Sequence, residues 1–329
     1  MNERPRRSNL FRLIVSLTVL ALTLAFFVYR QQLIDQYNVW SYRPTTEVAR
    51  IAANSQLNSL GQFYFYASHP EIDARGAFNS HCTQKGEKTA ILGCYVNGRI
   101  YVFDVTDDRL NGIKEVTAAH EMLHAAYERL SEGEKQRIGK LVESQLAAIT
   151  DSRIKDLVEL YDKTEPGERA NELHSILGTE VKDLSPELEA YYGRYFKDRG
   201  ALVSMSAKYE AVFQQINDEQ NALVEQLNSL AADITARSTK YNNDTNKLNA
   251  DITTFNQKAN SGGFDSQAEF DAERNALLVR QSELQTARAT LNTMIATYNE
   301  KRQRLEALNG QAEALNRSIN SQLSPVPSL

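Results

Sequence analysis

Apolar residues recurring every seven positions constrain the C-terminal part of this chain more than any other feature. Leu202, Tyr209, Ile216, Leu223 and Leu230 form one series, and Leu227, Ile234, Tyr241, Leu248 and Phe255 form a second. Arg237 and Asp244 interrupt one seam, but the heptad pattern of a coiled coil persists. Asn260, Ser261, Gly262 and Gly263 then break the helix. A matching series follows at Phe270, Leu277, Leu284, Leu291, Tyr298, Leu305, Ala312 and Ile319. Two such arms, each on the order of 80 Å, joined by a short Gly-Gly link predict an antiparallel coiled-coil hairpin over residues 201–322. The arms are rich in Asn, Gln, Ala and Thr, so their seam is narrow and their outer faces are wet. Residues 323–329, with two prolines, are expected to be a disordered tail.

The opposite end carries a membrane signal. Arg4, Arg6, Arg7 and Arg12 precede an uncharged run over residues 13–29, at the short end of what spans a bilayer as a helix. Arginine is denser before the run than after it, which places residues 1–12 in the cytoplasm and the rest outside. No small-x-small cleavage site follows, because the run ends in Phe26, Phe27, Val28, Tyr29 and Arg30. An uncleaved signal-anchor is therefore favoured over a cleaved signal peptide. The expectation is a single-pass cell-membrane protein whose body begins at residue 30.

Cys82 and Cys94, the only two cysteines, flank a polar loop. In an oxidising compartment they can pair, stabilising by roughly 3 kcal/mol, and two free thiols are the alternative. His81 stands beside them, but without a C-x-x-C spacing these residues do not read as a second metal site. A net charge of −5 with no basic stripe excludes a nucleic-acid partner.

Between the two ends the periodicity changes several times. Apolar residues at Val48, Ile51, Ala52, Leu57, Leu60 and Phe63 suggest one helix over residues 45–66, ended near Pro70. Residues 91–96 and 99–105 flank Asn97-Gly98, the strongest two-residue signal for a β-hairpin. Residues 130–161 read as one or two helices. A Pro166-Gly167 turn then leads to a short helix over residues 168–178, with Gly178 as its stop. Ser185-Pro186 starts a further helix running through Tyr195.

Two of the five histidines, His120 and His124, stand four apart around Glu121. On a helix that spacing puts both imidazoles on one face, able to reach a single metal ion. Glu121 lies about 100° round the helix. From there it can act on a water without becoming a ligand, as metal-assisted hydrolysis requires. Thr117, Ala118 and Ala119 before the motif and Ala125 and Ala126 after it are small and uncharged, suiting a buried helix.

This H-E-x-x-H segment resembles the active-site helix of the zincin metallopeptidases. Tyr127 and Leu130 stand where the metzincin extension needs Gly and a third His, so that branch is excluded. Asn171-Glu172 resembles the second-helix ligand segment of the gluzincins. The likeness covers these two segments rather than the whole chain. It implies one Zn²⁺ per chain held by His120, His124 and Glu172, with His174 or Glu180 as the alternative third ligand. Glu121 is then the general base, and His174, Tyr161, Tyr191 and Tyr192 are candidate donors to the transition state.

The fold class expected is α+β, mainly α: a small zincin-like domain over residues 30–200, then the hairpin. In the zincin layout the strand over residues 99–105 lines the cleft and pairs with an extended peptide substrate. The rival expectation is a non-enzymatic envelope scaffold working through its coiled coil, by binding a protein partner or by self-association.

Overall fold

The computed structural model describes residues 7–82, 91–164 and 167–322. Arg4, Arg6, the loop at 83–90, Pro166 and the tail at 323–329 lie outside the described residues. The chain is mainly α with a small three-stranded sheet, and it forms two compact units. The first comprises Met1–Val212 with Leu315–Leu329, and the second Phe213–Ala314.

In chain order the elements are α1 (Arg7–Ser41), α2 (Thr46–Asn54), α3 (Ser59–Ala67), β1 (Glu71–Asp73), α4 (Arg75–His81), β2 (Gly93–Val96) and β3 (Arg99–Phe103). A 3-10 turn over Asp108–Leu110 precedes α5 (Ile113–Glu128), α6 (Glu132–Ala148) and α7 (Ser152–Thr164). Then come α8 (Arg169–Glu180), α9 (Pro186–Tyr192), α10 (Arg199–Asn260) and α11 (Gln267–Ile319).

Among the described residues α1 is the one helix long and apolar enough to cross a membrane. It continues past the predicted end at Tyr29 to Ser41, and Asp35 in that extension is buried. Arg129, just after α5, grips Asp35 through two hydrogen bonds of 2.9 and 2.7 Å. The single helix expected over residues 45–66 is instead two, α2 and α3. Gln56 adopts φ +58° between them, and the Asn58 side chain caps the new start by accepting from the N–H groups of Leu60 and Gly61.

The sheet order is β1-β3-β2, with β1 parallel and β2 antiparallel to β3. Asn97 and Gly98 make the turn with φ of +51° and +75°, as their sequence predicts. Alternation sorts the strands into two faces. Gly93, Tyr95, Ile100 and Val102 share the face covered by α5; Tyr95, for example, hydrogen-bonds Glu128. Glu71, Asp73, Cys94, Tyr101 and Phe103 share the other face. There α4 packs Phe78 against Phe103 and His81 against Tyr101, with ring centroids 5.5 and 4.1 Å apart. Cys82 and Cys94 are disulfide-bonded with Cα atoms 5.9 Å apart. Being paired on both sides, β3 has no open edge, so the strand expected to line a cleft is the central one. Among the described residues β2 has β3 as its single strand neighbour.

The helices at 130–161 are two. Ser131 and Glu134 form a capping box at the start of α6. Gly178 does not stop α8, which runs on to Glu180. A Cβ on Gly178 would lie 2.4 Å from Leu123 Cδ1 and 2.8 Å from Tyr192 Cε1, so its bare backbone lets α5 and α8 approach closely. Proline at the first turn and Ser185 as cap start α9, which ends at Tyr192 rather than Tyr195.

In the second unit the two long helices run antiparallel. Glu219 takes Arg304 at 2.7 and 3.0 Å, Gln226 takes Lys301 at 2.7 Å and Asp251 takes Arg280 at 2.6 Å, so partner numbers fall as the first arm's rise. Burial along this pair is sparse, at Leu223, Leu227, Leu248, Leu291 and Leu308. Phe255, Phe264 and Phe270 cluster at the Gly-Gly end.

Candidate metal centre

Helix α5 starts from Gly112 at φ +98°, where a Cβ would meet Met205 at 2.9 Å. Its apolar and small residues make it a buried helix, and His120 and His124 fall one turn apart on the side facing α8. Helix α8 is buried from Glu172 to Thr179. The structure brings one ligand atom each from His120, His124 and Glu172 within 4.8 Å of one another. His120 Nε2 lies 3.8 Å from Glu172 Oε2, and His124 Nε2 lies 3.6 Å from Oε1. Both contacts are too long for hydrogen bonds. Burial pushes the Glu172 pKa up, but the neighbouring His124 and His120 outweigh it and hold the carboxyl below its ordinary value.

Asn171 sets the state of His124. Its amide nitrogen donates to Glu168 at 3.2 Å, which turns its oxygen toward His124 Nδ1 at 3.0 Å. An amide oxygen can only accept, so Nδ1 donates to it, and Nε2 is the ring nitrogen that faces Glu172. Ser175 Oγ lies 3.3 Å from the same Nδ1. Glu168, Asn171, Glu172 and Ser175 are spaced three and four apart along one face of α8. Sequence reasoning assigned no role to Asn171 or Ser175, although that spacing is its signal.

The alternative ligands lie elsewhere. His174 is fully buried, and its Nε2 contacts Tyr191 Oη at 2.9 Å. Burial, with His124 and His120 adding to it, lowers its pKa to about 3 and keeps it neutral. Glu180 pairs with Arg153 at 2.6 Å. The Tyr192 hydroxyl donates to the His174 carbonyl at 2.7 Å, so both Tyr191 and Tyr192 are committed to the buried surroundings of His174. Tyr161 lies on α7, whereas the three ligands lie on α5 and α8.

Glu121 is 5 % exposed and stands outside the three-ligand cluster. Gly93 of β2 passes directly across it. A Cβ there would sit 2.6 Å from Glu121 Oε1 and 2.6 Å from Thr117 Cγ2, so only glycine lets the strand cross at this distance. Compared with known proteins, the chain matches no family model, no curated protein and no solved structure.

Proposed function

We propose that the chain is a membrane-anchored, extracytoplasmic zinc metallopeptidase of gluzincin type. One observation carries the reading. Glu172 Oε2 is buried without a hydrogen-bond partner, beside two imidazole nitrogens. A buried carboxylate oxygen left this way is costly unless a cation satisfies it. The gaps of 3.6 and 3.8 Å are close to the roughly 3.4 Å that separates neighbouring ligands around a tetrahedral ion with bonds near 2.1 Å. The residues therefore fit Zn²⁺ held by His120 Nε2, His124 Nε2 and Glu172.

Zinc in this position supplies a Lewis acid and lowers the pKa of water toward about 7. Glu121 takes the proton from the attacking water and returns it to the departing amine. Its burial under Gly93 excludes bulk solvent from that transfer. An extended peptide would pair with β2, the edge strand beside Glu121, rather than with β3. The residues proposed to hold the ion all lie in the first unit. The paired helices serve as a coiled-coil arm for a partner or a second copy.

Zinc content and peptide hydrolysis test this reading together. Glu121→Gln should keep its zinc and lose about 10²–10⁴-fold in turnover, the usual worth of a general base. His120→Ala should lose the zinc of this centre together with turnover. Full hydrolysis by Glu121→Gln would end the mechanism, and a His120→Ala variant that binds as much zinc as wild type would end the site.

A further inference from the structure

The sheet face turned away from α5 carries a second set of ligands. Glu71 and Asp73, two apart on β1, point to that face, and His81 at the end of α4 meets them there. One ligand atom from each lies within 4.8 Å of the others. Tyr101 stacks on the His81 ring with an interplanar angle of 7° and holds its orientation. Arg99 occupies one oxygen of Glu71, which leaves the other for a second partner.

Asp73 is the telling residue. It is 9 % exposed, and its Oδ2 is buried with no hydrogen-bond partner among the described residues. Burial raises its pKa and the Glu71 charge adds to this, while His81 and Arg99 act in the opposite direction. An ion pair with His81 alone would leave Oδ2 unsatisfied, because no hydrogen bond joins the two side chains. A cation among the three groups satisfies it. The donor set of one imidazole nitrogen and two carboxylate oxygens suits zinc, whereas calcium and magnesium take oxygen alone.

We propose that Glu71, Asp73 and His81 form a second zinc site, distinct from the centre on α5 and α8. The ion ties the end of α4 to β1. The disulfide ties the next residue, Cys82, to Cys94 of β2. Cys94 adjoins Gly93, the residue lying on Glu121. Metal and disulfide together thus brace the strand that crosses the general base.

The test is equilibrium dialysis of the full-length chain, in detergent, against Zn²⁺, with stoichiometry read by elemental analysis. The wild type should hold two zinc ions, Asp73→Asn one, His120→Ala one, and the double variant none. His81→Gln alters an exposed residue and should also reduce two to one, which keeps the test open if Asp73→Asn misfolds. Added Zn²⁺ should raise the thermal midpoint of His120→Ala and leave the double variant unmoved. Asp73→Asn and His81→Gln each binding as much zinc as wild type would overturn the proposal, as would a His120→Ala variant that binds none. A wild type and His120→Ala that each hold one ion, lost in Asp73→Asn, would support this site while removing the one on α5.

Discussion

Asn171 is the residue on which zinc affinity should turn without its touching the ion. It fixes the His124 tautomer and is itself fixed by Glu168. Asn171→Ala should weaken zinc binding by about 10–100-fold, the usual effect of removing a group that orients a metal-bound histidine. Asn171→Asp keeps an acceptor for His124 but loses the donor to Glu168, so its affinity should fall between those of wild type and Asn171→Ala. Competition titration with a chromophoric chelator reads both. The residue-scale geometry was legible where it rests on one helix, because the H-E-x-x-H spacing alone places two imidazoles and a carboxylate. Choosing Glu172 over His174 and Glu180 required knowing which way α8 turns, and the residues favoured only the likeness of Asn171-Glu172.

Gly178 shows how one element can be misread while its neighbours are read well. As a helix-ending glycine it had a sound local rationale, yet it lies inside α8 at the contact with Leu123 and Tyr192. Gly178→Leu should force α5 and α8 apart and cost about 1–3 kcal/mol, checked by thermal or denaturant unfolding. The proposed zinc ligands sit on those same two helices, so affinity should fall with stability. Signals acting within four residues were visible in the chain: the Asn97-Gly98 turn and the Ser185-Pro186 start. Strand β1 was not. It has three residues, too few for alternation to show, and it pairs with β3 across a long stretch of chain. The α2–α3 break escaped for a related reason: apolar spacing runs on through Leu57, while capping by Asn58 is a side-chain event that periodicity does not record.

At the scale of the molecule, a long-range ion pair and a short-loop disulfide brace the first unit. The Asp35–Arg129 pair is buried on both sides, with side-chain exposures of 2 and 7 %. Asp35→Ala leaves the guanidinium buried without its counter-ion and should cost about 3–5 kcal/mol, whereas pairing it with Arg129→Leu should recover most of the loss. Chemical denaturation in detergent measures both. The Cys82–Cys94 disulfide closes a short loop, and Cys82→Ser with Cys94→Ser should cost about 3 kcal/mol on the chain-entropy model.

The grip of Arg129 on Asp35 has a mechanical meaning as well. Helix α1 is unbroken from its apolar stretch to Ser41, and Arg129 directly follows the helix that bears His120 and His124. Asp35 stands six residues beyond Tyr29, about 9 Å of helix rise. With α1 in a bilayer, as proposed, nothing in this path is hinged. The helix bearing His120 and His124 then rides on a post of fixed height rather than a tether. If the centre is catalytic, as proposed, it would not range outward for its targets but act on chain segments that arrive at its own elevation, close above the lipid.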